Sequence, residues 1–328
     1  MVRLINLSLI SLIFFMPFSA YSQWFKHSFN VMGTLSQVEF WLEDKVPNQN
    51  EHAKTLFNIV EQEMFRIDRN MSPYKENSEL SVVNREAAIK PFKISTELFN
   101  LLLTAHNISE ISDGSFDITY ASIGYQYDYR QKKRPDQPSI TEALPAINYR
   151  SVILNKYNST VHFSHKKVKI DLGGIAKGYA VKRCLTLLKN AGVKHALVSA
   201  GGDTGLLGDR NGRPWLVGVK HPRAEQKTVV HIPLANEAIS TSGDYERYFI
   251  ENGVRYHHII NPRTGDSSRK VISVSVIGEN PTYVDALSTT IFVKGLNDGL
   301  ALINKLPDFE AVIIDNNQRL HYSKGLQQ

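Results

Sequence analysis

Strand-like and helix-like runs follow one another along this 328-residue chain without a regular βα alternation, and that order is what most limits its fold. Residues 25–42 are rich in β-branched and aromatic side chains around Gly33, the signature of two short strands joined by a turn. Apolar residues then recur at helical spacing, first at Ala53, Leu56, Phe57, Val60, Met64 and Ile67, and again at Leu98, Leu101, Leu102, Ala105, Ile108 and Ile111. Short strand-like runs at 151–154, 160–163 and 167–170 lead into a helix that opens near Asp171 and stops at Gly192, and a strand at 195–199 follows. A hairpin at 245–250 and 254–260 flanks Asn252-Gly253, helices are predicted at 282–293 and 298–305, and runs at 310–314 and 319–322 close the pattern. Such an order predicts an α+β fold with mixed, largely antiparallel sheets packed by helices. The polar, proline-containing and basic stretch 128–146 reads as the longest loop, a boundary or flexible lid.

The first 22 residues carry Arg3 and an apolar run ending in Ala20-Tyr21-Ser22, a small-x-small pattern before Gln23. This predicts a signal peptide over 1–22, cleavable, ahead of one domain over 23–328. In a bacterial host the expected location is the periplasm, and an uncleaved anchor is the alternative. The sole cysteine, Cys184, sits among Val181, Leu185 and Leu188, so no disulfide framework is available and a buried structural thiol is expected. With no cysteine at the expected cleavage site, a lipid anchor there is excluded. The formal charge of +6 is scattered and lacks the interleaved aromatics of a nucleic-acid groove, so no nucleic-acid partner is expected.

The familiar phosphate-binding glycine motifs are missing. Asp171-Leu172-Gly173-Gly174 lies where a strand should end and a helix begin. That place suits a phosphate, and it suits equally an N-capping Asp followed by turn glycines. Asp285 and Thr289 are four apart on a predicted helix, so their oxygens share one face; this fits Mg²⁺ or an ordinary polar helix face. His257 and His258 are adjacent on a strand and point to opposite sides, which disfavours a paired-histidine zinc site and leaves room for a single base. Met32-Gly33-Thr34 fits a tight turn and Met71-Ser72-Pro73-Tyr74 a loop with a packed aromatic, and either fits equally the presentation of a thioether or aromatic face to a planar ring.

Taken in order, Met32-Gly33-Thr34, Ser72-Pro73-Tyr74, Asp113-Gly114-Ser115-Phe116-Asp117, the run 171–180, Ala200-Gly201-Gly202-Asp203, the run 240–245, His258 to Gly265 and Val284 to Thr289 resemble the ApbE family of FAD:protein FMN transferases. The resemblance extends over about residues 29–322. It implies FAD as substrate, held by Met32, Tyr74, Ser115, Phe116, Asp117, Asp171, Lys177 and Ile260. It implies Mg²⁺ on Gly174, Asp285, Ser288 and Thr289, with His258 as catalytic base. Flavin-carrying subunits of membrane electron-transfer complexes are the acceptors it implies, which suits an exported enzyme working at the outer face of the inner membrane. Three departures, Asn261 for a common Asp, Val284 for a usual Ala and Lys182 for a frequent acidic residue, bear on substrate preference. Two other activities fit the same residues: an FAD pyrophosphatase using water as acceptor, and a non-catalytic flavin-binding protein.

Overall fold

The computed structural model describes residues 23–43, 46–224 and 227–327; the apolar segment read as a signal peptide lies outside them. Strands β1 (Gln23–Val31) and β2 (Thr34–Leu42) pair in register around a two-residue turn in which Met32 and Gly33 both have positive φ, 54° and 71°. A turn with two left-handed residues matches the twist of the strands it joins. Helix α1 (Gln49–Met71) buries Ala53, Leu56, Val60, Met64, Ile67 and Met71, the stripe its sequence spacing predicts. Each such large side chain contributes about 1.5–3 kcal/mol when removed from water.

Next come α2 (Glu79–Glu86), the two-residue β3 (Phe92–Lys93), α3 (Thr96–Ile111), the single-turn α4 (Ala121–Gly124) and α5 (Gln137–Ala143). The last of these corrects the loop expected at 128–146. Asp136 accepts the Ser139 N–H at 2.9 Å and a proline occupies the first turn, so the second half of the stretch is a capped helix. Ile140 and Ala143 pack with Ile123, Tyr127 and Ile260, tying the segment to the rest of the protein. Strands β4 (Val152–Asn155) and β5 (Thr160–Phe163) form a small sheet with β3. The strand expected at 167–170 does not form. The Asn84 side chain binds both the N–H and the C=O of Ile170, at 2.8 and 2.9 Å, and replaces a strand neighbour.

Helix α6 (Ala176–Asn190) leads into β6 (Ala196–Ala200) and β7 (Asp203–Leu207). A hairpin of β8 (Trp215–Lys220) and β9 (Thr228–Leu234) follows, then β10 (Ala238–Gly243) and the hairpin β11 (Tyr248–Glu251) and β12 (Val254–His257). The chain ends with β13 (Ser273–Gly278), α7 (Pro281–Lys294), α8 (Leu296–Ile303), β14 (Phe309–Ile314) and β15 (Leu320–Tyr322). Eight strands make one antiparallel sheet in the order β1-β2-β6-β7-β10-β13-β14-β15.

The period of two along these strands divides the core. Ala238, Val274, Val276, Ala311 and Ile313 face α7, whereas Ile239, Ile277 and Val312 join Trp215, Ile232 and Leu234 of the β8–β9 hairpin on the other side. Ser240 and Ser242 follow Ala238 on the helix-facing side of β10, and in this way the sheet delivers hydroxyls to α7. Helix α7 is buried nearly all round and therefore central.

Candidate active site

Helices α6 and α7 touch where Gly178 stands. A Cβ there would lie 2.2 Å from the Pro281 carbonyl oxygen and 2.7 Å from the Asp285 Cβ, so only glycine permits the approach. The approach lets the Gly178 N–H donate to Asp285 Oδ2 at 2.9 Å. Asp203, first residue of β7 and 2% exposed, completes the cluster: Oδ1 accepts from Ser240 Oγ at 2.5 Å and Oδ2 pairs with Lys177 Nζ. One ammonium thus stands among two buried carboxylates. Burial and the Asp203 charge push the Asp285 pKa up, while Lys177 opposes the shift. Burial works against the Lys177 ammonium, yet Asp203 and Asp285 outweigh it and hold its pKa above the usual lysine range.

Thr289, one turn beyond Asp285, brings its hydroxyl to the same place. A Cβ on Gly174 would come 3.4 Å from Thr289 Oγ1 and 3.3 Å from the Phe116 ring. Gly174 therefore meets Thr289 just before α6, one helical turn from Asp285. Ser288 differs from them: it is sealed from solvent, donates to the Asp285 carbonyl at 2.8 Å, and shares its hydroxyl with Ser240 and Ser242 at 3.2 and 2.8 Å. The described residues contain no group of three or more His, Cys, Asp or Glu able to hold a metal. A cation here would rest on one carboxylate with carbonyl and hydroxyl oxygens, all hard donors of the kind Mg²⁺ takes.

Asp171 does not cap α6, which begins after Ile175. Its Oδ1 accepts the Gly173 N–H at 2.6 Å and holds the glycine pair in a local turn. Burial raises its pKa, against the hydrogen bonds from Gly173, Tyr120 and Tyr125 and the charge of Arg247. Asp117 is buried with its carboxylate engaged, taking the Thr119 N–H at 2.8 Å, the Thr119 hydroxyl at 2.5 Å and the Tyr149 N–H at 2.8 Å. It fixes the loop on which Ser115 and Phe116 lie, both nearly buried. Met32 borders a cavity of about 500 Å³ also lined by Asn30, Gly33, Thr34, Phe65 and Asp68. Tyr74 is 80% exposed, and Ile260 is buried in the small cluster around Tyr127.

The two histidines have separate surroundings. His257 is 1% exposed; its Nε2 donates to the Ser268 carbonyl at 2.5 Å and its ring stands edge-on to Phe292. His258 is half-buried, its N–H donates to the Arg247 carbonyl at 3.1 Å, and its buried Nδ1 has no partner among the described residues. Burial, with His257, Arg247 and Lys177 nearby, pushes the His258 pKa down to about 3, so the ring is neutral at physiological pH.

Asp203, Ser240, Ser242 and Arg247 received no role from sequence reasoning. Asp203 follows a glycine pair after a strand, a detectable position, whereas nothing local marks Arg247.

A model of the ApbE family matches residues 32–313. The FAD:protein FMN transferase of Treponema pallidum is 31% identical over 316 residues, covering 90% of this chain and 86% of its own. The protein of that name from Vibrio cholerae is 29% identical over 303 residues, 90% of each chain. An ApbE protein from Thermotoga maritima superposes with a TM-score of 0.84 at 32% identity, over 93% of this chain and 98% of its own. The Vibrio cholerae flavin transferase ApbE gives 0.82 at 25% identity, over 94% and 99%. Sequence and backbone agree over nearly the whole described chain, helices and largely antiparallel sheets included, and on that ground the chain belongs to the ApbE family.

Proposed function

We propose that this protein is an FAD:protein FMN transferase, which moves FMN from FAD to a hydroxyl side chain of an acceptor flavoprotein and releases AMP. The observation that carries the reading is a neutral histidine close enough to an ammonium to feel its charge, with that ammonium beside a buried carboxylate pair and a hydroxyl one helical turn on, in a chain similar to proteins named FAD:protein FMN transferase. In the reaction the acceptor oxygen attacks the FMN phosphorus as the bond to the AMP oxygen breaks. His258, neutral at working pH, takes the hydroxyl proton. Lys177, held cationic by Asp203, offsets charge on the phosphoryl oxygens. Met32, Tyr74, Ser115, Phe116, Asp117, Asp171 and Ile260 are the residues assigned to the rest of FAD. Mg²⁺, held by Gly174, Asp285 and Thr289 with Ser288 behind them, would supply charge neutralisation at the pyrophosphate.

We place the enzyme in the periplasm, exported by residues 1–22, with acceptors among the flavin-carrying subunits of membrane electron-transfer complexes and its catalytic domain over residues 23–328. Among the described residues no helix is long and apolar enough to cross a membrane. The test is to incubate the protein with FAD, Mg²⁺ and candidate acceptor domains, then follow flavin fluorescence on a denaturing gel and AMP by chromatography. Fluorescent acceptor with matching AMP is expected. AMP and free FMN without labelled acceptor would replace the transferase by a pyrophosphatase, and intact FAD throughout would replace it by a flavin-binding protein.

A further inference from the structure

Arg247 immediately precedes β11, and its carbonyl receives the His258 N–H at 3.1 Å. The residue is therefore fixed by its backbone to the candidate base, at the root of the β11–β12 hairpin. Its side chain turns back over the β1–β2 turn, where a Cβ on Gly33 would lie 3.1 Å from Nη2. Neighbouring arginines are occupied: Arg223 and Arg255 by Asp244, Arg134 by Glu251 and Arg269 by Asp266. The Arg247 guanidinium makes no ion pair, hydrogen bond or ring contact among the described residues, and its charge acts on Asp171, Lys177 and His258 together. A planar fork of five donors, held between the Met32-Gly33 turn and the base and left without an acceptor, matches a bidentate anion.

We infer that Arg247 is a binding residue for the pyrophosphate of FAD, gripping it through the guanidinium fork. This rests on the transferase reading only for the identity of the ligand. Within FAD the pyrophosphate is the anionic group, so an unpaired guanidinium at this place has one partner to take. The turn glycine is part of the arrangement, because Gly33 keeps the path of the side chain open.

The experiment compares wild-type protein, Arg247→Gln and Arg247→Lys by titrating FAD and riboflavin, which lacks phosphate, against quenching of flavin fluorescence. Expected is a loss of FAD affinity of about ten- to a hundredfold in Arg247→Gln, the range for one charged hydrogen-bonding partner, with riboflavin affinity unchanged. Arg247→Lys should recover part of the loss, since a point charge does not reproduce the fork. The residue is exposed and unpaired, so both variants should keep the wild-type thermal midpoint. FAD binding at wild-type strength in Arg247→Gln overturns the assignment, as does an equal loss for riboflavin or a wild type that does not prefer FAD. A wild type that needs Arg247 for FAD but labels no acceptor sinks the transferase and leaves the pyrophosphate contact standing. Labelled acceptor with an indifferent Arg247→Gln does the reverse.

Discussion

His258 has a lone pair free at neutral pH because burial and nearby positive charge work against its protonation. His258→Ala should lower transfer by about 10²- to 10⁴-fold while FAD still binds, measured by single-turnover labelling beside a flavin titration. Full transfer by this variant would remove the residue from the reaction. His257 gives a prediction about stability instead. Burial pushes its pKa from 6.5 down to about 4. Between those values the unfolded chain binds a proton that the folded one refuses, so the contribution of His257 is full above pH 6.5 and is lost as the pH falls toward 4. Urea denaturation at pH 7 and pH 5 should show His257→Gln losing about 2 kcal/mol less than wild type over that interval. An unchanged difference would mean that the ring titrates normally.

At the scale of elements, the contact of α6 with α7 decides whether Asp285 is held at all. Gly178→Ala would drive a methyl group into the Pro281 carbonyl, and overpacking of this kind costs about 1–3 kcal/mol, readable as a lowered urea midpoint. Transfer should fall further than stability accounts for, because the Gly178 N–H would move from the carboxylate. The long elements were legible by different signals: α1 and α3 from helical periodicity, the β1–β2 and β11–β12 hairpins from their turn residues, and α7 and the last two strands from their apolar runs. What escaped did so for local reasons. Helices α2 and α5 span eight and seven residues, too short for a periodic signal, although Ser78 and Asp136 cap them. The run 167–170 reads as a strand, but a single asparagine side chain satisfies the backbone that a strand would have satisfied. Asp203 and Arg247 reach the site through sheet order and hairpin closure; the glycine pair before Asp203 marks its position, whereas nothing in nearby sequence marks Arg247.

Over the whole molecule, one sheet face collects the chemistry while the other is closed by the β8–β9 hairpin. Strands β7 and β10 supply Asp203, Ser240 and Ser242, and the helices laid across them supply Lys177, Asp285 and Thr289. Ligands bridging these elements should therefore stabilise the folded state as a unit. Saturating FAD with Mg²⁺ at a hundredfold excess over Kd corresponds to about 2.7 kcal/mol, visible as a raised thermal midpoint. Asp285→Asn, which preserves an acceptor for the Gly178 N–H, should abolish the Mg²⁺-dependent part of that rise and keep the FAD-dependent part. An undiminished Mg²⁺ effect would place the cation elsewhere.

Cys184 is fully buried in α6, its Sγ donating to the Val60 carbonyl at 3.7 Å, and burial drives its thiolate out of reach. A cysteine introduced at Tyr157, 90% exposed, would then be the group that a maleimide dye finds first. The protein comes ready for single-site labelling, and an optical probe of its encounter with an acceptor can be built without first removing the native thiol.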